Sequence, residues 1–237
     1  VDDHFKKVFL KSYEIWELSQ GFFDPTVGSL VNAYGFGPEK KIKNFSKKQL
    51  DSLIELTGFS KVSLTSEGTI KKKYPNIYLD FNAIGKGYIV DIISELLISY
   101  DIKNFLIEIG GEIIAKGKNP NSGEFWKVAI DNPSQKNNRQ FIKTIFLKNK
   151  ALATSGNYRK YIIDSLTGKK YVHTINPKNG KSFQSKILSV SVLASDCMTA
   201  DAWATALMVM PFRLSKSIIE SIEDIDAYWI LSNQKGY

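Results

Sequence analysis

Cysteine is nearly missing from this sequence. Cys197 is the only one in 237 residues, which excludes an internal disulfide and any cysteine-cluster metal centre. Histidine is almost as scarce. His4 and His173 are the only two, too few for a multi-histidine zinc site. Arginine occurs only at positions 139, 159 and 213, so there is no arginine face of the kind that reads bases or clamps phosphates. Long apolar runs are also missing: each is broken by Lys, Asp or Glu well short of the ~20 residues that cross a bilayer. The opening Val1-Asp2-Asp3-His4 lacks the basic start and apolar core of a signal peptide. A mature or trimmed chain would lack them too, which leaves export open.

What is present is a globular composition, 43% hydrophobic and 24% charged, with enough length for one large domain or two small ones. The net charge of +8 comes from 32 Lys and Arg against 24 Asp and Glu. The lysines are scattered in pairs along the chain, which describes a solvated surface rather than a nucleic-acid-binding face. There is no repeat, no low-complexity segment and no Pro/Gly/Ser linker, so composition marks no domain boundary.

Apolar periodicity predicts a helix over residues 5–20, stopped at Gly21. Residues 21–38, GFFDPTVGSLVNAYGFGP, are rich in glycine and aromatics and read as an apolar loop. Phe22, Phe23, Tyr34 and Phe36 in it are candidate contacts for a flat ligand, the alternative being a loop packed on the core. Asp24 before Pro25 also reads as a turn initiator. Ser46 with Gln49 forms a capping box for a second helix over 46–57. A short hairpin follows over 61–64 and 69–73.

Residues 77–99, IYLDFNAIGKGYIVDIISELLIS, read as a short strand ending at Asp80, a glycine-containing turn, and a strong helix. Free amides at a helix start, with Lys86 beside them, suit an anion such as a phosphate. The glycine spacing matches neither a Walker loop nor a Rossmann fingerprint, and Gly85 and Gly87 have an alternative use in close packing. Next come a hairpin with a Gly110-Gly111 turn over 104–116, strands over 125–131 and 140–148, and a polar loop over 135–139. Residues 150–161 read as a strand running into Thr154-Ser155-Gly156. That hydroxyl-glycine group is either a phosphate cradle or an ordinary turn. A further hairpin turns at 165–168 and returns to His173, a structural hydrogen bonder or a candidate acid–base. An apolar strand over 187–193 leads into a helix from Ala194 to Met210, ASDCMTADAWATALMVM. Its apolar face is Ala200, Trp203, Ala204, Leu207 and Met208. Asp201 and Thr205, four apart, share another face. They serve either as helix caps or as hard oxygen ligands for Mg²⁺ or Ca²⁺. A last helix over 211–222 and a last strand over 227–231 end the pattern.

Taken in order, GFFDPTVGSLVNAYGFGP, LDFNAIGKGYIVD, IEIGGEIIAKG, WKVAIDNP, ATSGNYRKY, HTINPKNGKS and SVLASDCMTADAWATALMVM resemble the ApbE family, flavin transferases that move FMN from FAD onto a threonine of a target protein. The resemblance implies a single α+β domain over 1–237 of the family's T-fold-like type, with mixed or antiparallel sheets packed with helices. It also implies FAD held across the molecule, and Mg²⁺ at its diphosphate. Carried over residue by residue, it implies FAD contacts at Phe22, Phe23, Asp24, Asp80, Lys86 and Ile175. Ser155 and Gly156 fall in the flavin-side loop. The metal ligands it implies are the Ala83 carbonyl and the side chains of Asp201 and Thr205. The family's upstream strand and aromatic segment have no counterpart here, for which trimming is the preferred explanation. Asn82 and Gly85 also stand where the family often has glycine and alanine.

The expected reaction is attack of a target threonine on the FMN-side phosphorus with AMP leaving, His173 activating the hydroxyl and Asp201 the alternative proton acceptor. FAD hydrolysis to FMN and AMP, and flavin binding without turnover, are the competing readings. The expected partners are FAD and a target flavoprotein such as a subunit of a membrane redox complex, with no nucleic acid and no transmembrane segment in this chain. The resemblance alone implies an exported protein, periplasmic or lipid-anchored.

Overall fold

The structure, a computed structural model, describes residues 1–39, 42, 46–133, 140–157, 161–163, 168, 170–182 and 186–232. The chain opens with α1 (Asp3–Leu18), α2 (Gly28–Tyr34), α3 (Lys47–Glu55) and the strands β1 (Val62–Leu64) and β2 (Ile70–Lys72). Next are α4 (Asn82–Ser99), β3 (Phe105–Ile109), β4 (Glu112–Lys116), β5 (Trp126–Asp131), β6 (Phe141–Leu147) and β7 (Ala151–Gly156). It continues through β8 (Tyr161–Ile163), β9 (Lys170–Val172), β10 (Ile187–Ala194), α5 (Cys197–Val209), α6 (Phe212–Ile219) and β11 (Asp226–Leu231). All strand pairs among the described residues are antiparallel, and with six helices this is the expected α+β class.

The chain divides into two compact units, Val1–Ala83 with Arg159–Ser185 and Ile84–Tyr158 with Lys186–Tyr237, the boundary falling in the first turn of α4. In the first unit, Asp2 caps α1 by accepting the Phe5 amide, and Val8, Phe9 and Ile15 turn inward. Phe9 packs with Phe59, Val62 and Ile77 in an aromatic-rich core. The capping box of α3 is formed as the sequence predicts, with both reciprocal bonds between Ser46 and Gln49 present. A second cluster gathers Leu30, Tyr34 and Ile175.

Two expectations fail in this unit. Residues 21–38 are not a loop throughout, because they contain a 3₁₀ turn, Pro25–Val27, and helix α2. Asp24 caps the turn by accepting the Thr26 amide, Pro25 supplies a preset φ, and Gly35 at φ +84° ends the helix. Gly28 is required here, since a Cβ would strike the Tyr78 ring. The strand expected over 77–80 does not form. Ile77 is buried in the aromatic core and the Asp80 amide bonds a single carbonyl, that of Pro25, at 2.7 Å, so no ladder is left to build.

The second unit is built on a five-stranded sheet in the order β11-β10-β7-β4-β3. Helix α5 lies against β7 and β10. The five residues predicted to face the core, Ala200, Trp203, Ala204, Leu207 and Met208, are buried, and within α5 only Met198 and Thr205 are not. Thr154-Ser155-Gly156 is part of β7, paired with Ser191, Val190 and Ser189 of β10, where the sequence left a phosphate cradle and a turn as alternatives. The hairpin turn expected over 165–168 falls, but for Gly168, outside the described residues, as does the polar loop over 135–139.

Candidate active site

The second unit brings four of its sequence-predicted residues into one group. Asp201 is the fifth residue of α5, not its cap; Asp196 is the cap, its side chain accepting the Thr199 amide. The cap alternative for Asp201 therefore gives way, because a residue one turn inside the helix has no free amide of its own helix to accept. Its carboxylate turns to another helix. Oδ2 accepts the amide of Gly87 in α4 at 3.0 Å. Oδ1 faces the Lys86 ammonium at 4.0 Å, beyond hydrogen-bond reach. Burial pushes the Asp201 carboxyl up to about 6; the Lys86 charge opposes that shift, nearby Glu112 adds to it, and the Gly87 amide opposes it.

One turn further along α5, Thr205 is half-buried. Its hydroxyl is 3.3 Å from that of Ser155 on β7. Gly156, next in the strand, pairs with Ser189. The close approach of α4 to α5 depends on Gly87, because a Cβ there would collide with the Cys197 carbonyl. Gly85 has open space where its Cβ would be. Of the two glycines, one serves helix packing and the other leaves the surface of α4 clear.

Two residues that the sequence reading left without a role hold this group together. Glu112 begins β4 directly after Gly110-Gly111 and forms an ion pair with Lys86 through Oε1. The residue is 2% exposed, and its Oε2 is buried with no hydrogen-bond partner. Asp91 of α4 accepts the amides of Cys197 and Met198, both at 2.8 Å, fastening the start of α5. Burial pushes its carboxyl up to about 6, against those two bonds, with Asp196 and Glu95 adding to the rise. The Cys197 thiol is fully buried and is pushed up by burial and by Asp91, Asp201, Glu112 and Asp196. An acidic residue heading the apolar strand EIIAK was the only local sign of Glu112. Its partner Lys86 is remote in sequence.

The first unit holds the other candidates. Asp24 is buried and fully engaged: Oδ1 accepts from the Thr26 amide at 2.8 Å and the Thr26 hydroxyl at 2.5 Å, and Oδ2 from the Phe59 amide at 3.0 Å. Burial raises its pKa, with those bonds and one from the Trp16 side chain opposing. Phe23 is buried with its amide on the Ser19 hydroxyl, and Phe22 lies under the Lys178 ammonium, 5.3 Å from the ring centre. Beside Asp24 a cavity of ≈ 630 Å³ is lined by Trp16, Gly21, Thr57, Lys61 and Lys178, among others. Asp80 Oδ1 accepts the Asn82 amide at 2.8 Å, so the first amide of α4 already has an anionic partner. His173 is half-buried with its ring edge toward Phe36. Ile175 is buried and bridges to Ser182. Ala83 is the second residue of α4.

Among the described residues no three of His, Cys, Asp and Glu are grouped to hold a metal. A zinc or iron centre therefore has no ligand set among them. The donors that do converge, a carboxylate oxygen and two hydroxyls, are hard and sparse, as magnesium prefers when substrate phosphates complete its shell. The buried Glu112 Oε2 likewise has no hydrogen-bond partner among the described residues.

The antiparallel α+β fold is that of flavin transferases of known structure. The chain belongs to the ApbE family, whose model matches residues 1–229. It is 35% identical to the FAD:protein FMN transferase of Haemophilus influenzae, over 98% of this chain and 67% of that protein. To the FAD:protein FMN transferase of Vibrio cholerae it is 38% identical, over 93% of this chain and 64% of that one. Among solved structures it matches the flavin transferase ApbE from Vibrio cholerae with a TM-score of 0.87 at 34% identity, covering 100% of this chain and 74% of that one. The Pseudomonas stutzeri flavinyl transferase ApbE in its apo form matches with a TM-score of 0.86 at 28% identity, covering 100% and 71%. The chain thus spans about two thirds of the length of its curated relatives.

Proposed function

We propose that this chain transfers the FMN half of FAD to a threonine hydroxyl of a target flavoprotein and releases AMP. The observation that carries the reading is Asp201. It is a buried carboxylate with one oxygen fixed by the Gly87 amide and the other short of any hydrogen-bond donor, with Thr205 one turn above it. Asp201 and Thr205, with the Ala83 carbonyl implied by the family resemblance, would hold Mg²⁺. A bound magnesium ion would neutralise charge on the diphosphate oxygens as the FMN-side phosphorus is attacked.

The protein's own groups do the rest. The Ser155 hydroxyl lies within hydrogen-bond reach of the Thr205 hydroxyl, and Lys86, half exposed, adds positive charge for the substrate. The family resemblance assigns FAD contacts to Phe22, Phe23, Asp24, Asp80, Gly156 and Ile175. The threonine oxygen forms a bond to phosphorus, the bond to the bridging oxygen of AMP breaks, and the threonine proton passes to a base. His173 is the proposed base and Asp201 the alternative. The target is proposed to be a flavoprotein of a membrane redox complex, met in an exported, lipid-anchored or periplasmic setting. No described helix is long and apolar enough to cross a membrane.

The test is incubation with FAD, Mg²⁺ and a candidate acceptor, read by in-gel flavin fluorescence and by mass spectrometry for AMP. Fluorescent acceptor with AMP is the expected result. Free FMN with AMP and no labelled protein would make the chain a hydrolase, and neither product would make it a binding protein.

A further inference from the structure

The geometry points to Glu112 as a positioning residue that holds the Lys86 ammonium off Asp201, keeping Asp201 Oδ1 open for a divalent cation. This rests on the reading of Asp201 and Thr205 as metal ligands.

Lys86 stands between two carboxylates. It is in direct contact with Glu112 Oε1 and 4.0 Å from Asp201 Oδ1. Its side chain is 47% exposed, so packing does not fix the ammonium; its location is set by the competition between the two charges. Glu112 wins because it is anchored. It is buried at the head of β4, in register with Ile109 across the hairpin. The turn before it, Gly110 at φ +64° and Gly111 at φ +103°, leaves room for its carboxylate: a Cβ on Gly110 would lie 3.5 Å from Oε2. Asp201, by contrast, already has one oxygen on the Gly87 amide.

Without the Glu112 charge, Asp201 is the remaining carboxylate ion-paired with Lys86 among the described residues. A flexible lysine half in solvent then closes the 4.0 Å gap and occupies the oxygen that a cation needs. The same lysine that serves the substrate would become an internal competitor of the metal. Glu112 also bears a negative charge near the site and so attracts cations directly, and the two effects predict different double variants.

The probe is Mn²⁺ alone, titrated into this chain without FAD and followed by electron paramagnetic resonance or calorimetry, with circular dichroism as the folding control. Glu112→Gln should raise the Mn²⁺ Kd by about tenfold or more, the range for groups that orient metal ligands. Adding Lys86→Met to Glu112→Gln should restore affinity to the wild-type level, because the competitor is gone. Should Glu112→Gln fail to fold, Glu112→Asp carries the same test: the shorter carboxylate keeps its charge but draws the ammonium less far, and Lys86→Met again rescues. Unchanged affinity in the single variant overturns the inference. So does a double variant as weak as the single one, which would mean that Glu112 acts through its charge alone. Asp201→Asn separates this from the parent reading. If the wild type binds no Mn²⁺, or binds it as well without Asp201, the metal site itself is wrong and the role of Glu112 falls with it.

Discussion

Asp24 and Asp201 are both buried aspartates whose carboxyls are raised by loss of water, yet their surroundings differ in kind. Asp24 accepts from the Thr26 amide and hydroxyl, the Phe59 amide and the Trp16 side chain, and the Thr26 hydroxyl in turn accepts the Gly58 amide. Asp201 has one amide and an ammonium out of hydrogen-bond range. A buried carboxylate that is fully hydrogen-bonded ties the chain together. One that is incompletely bonded carries an uncompensated cost that a cation can relieve. Burial alone therefore does not identify a site; the inventory of donors does.

The comparison breaks most directly at Asp201. Asp201→Ala should lower FMN transfer and AMP release by about 10²-fold or more at fixed Mg²⁺, measured as initial rates, while the apo fold survives. Gly87→Ala attacks the same carboxylate from the other helix. The added methyl meets the Cys197 carbonyl, so about 2–3 kcal/mol of stability should be lost as α4 and α5 are forced apart. Urea unfolding at pH 7 measures that loss, and weaker Mn²⁺ binding should accompany it.

Asp24→Asn should show the opposite pattern. It puts an N–H group where only donors point, costing about 1–3 kcal/mol in the same unfolding assay, with Mn²⁺ affinity unchanged. If it weakens Mn²⁺ instead, the contrast between the two aspartates is false. The smallest effect concerns Asp91, whose pKa of about 6 in the fold exceeds the ordinary aspartate value of 3.8. A raised folded pKa means that the native state binds more protons between pH 4 and 6, so stability falls as pH rises through that window. Partial exposure screens the effect to about 1–2 kcal/mol. Asp91→Asn should flatten that part of the pH profile, seen as a smaller shift of the urea midpoint between pH 4 and pH 6.

Much of the fold was legible in the sequence. The capping box Ser46–Gln49, the glycine turn between β3 and β4, and the inward face of α5 are local patterns, and each formed as read. Helix α2 was hidden because its entry, Asp24-Pro25, is the same for a turn and for a helix start, and only continued burial of Leu30 and Tyr34 separates them. The cap alternative at Asp201 stayed open for a similar reason: Asp196 and Asp201 both precede apolar residues, and helix phase is fixed by the sheet behind. Lys86, Ser155, Asp201 and Thr205 were all named from the sequence, and they converge. Glu112 and Asp91 were not. Their roles consist of bonds to residues 26 or more positions away, which no local pattern encodes.

The lone thiol of Cys197 gives the helix pair a clock. It is fully buried beside the amides that Asp91 holds, and its proton is tightly kept. A thiol-reactive dye in solution can label it only during moments when α4 and α5 separate, so the labelling rate counts those separations without any engineered probe. Mg²⁺ and FAD, if they lock the pair, should each slow that clock.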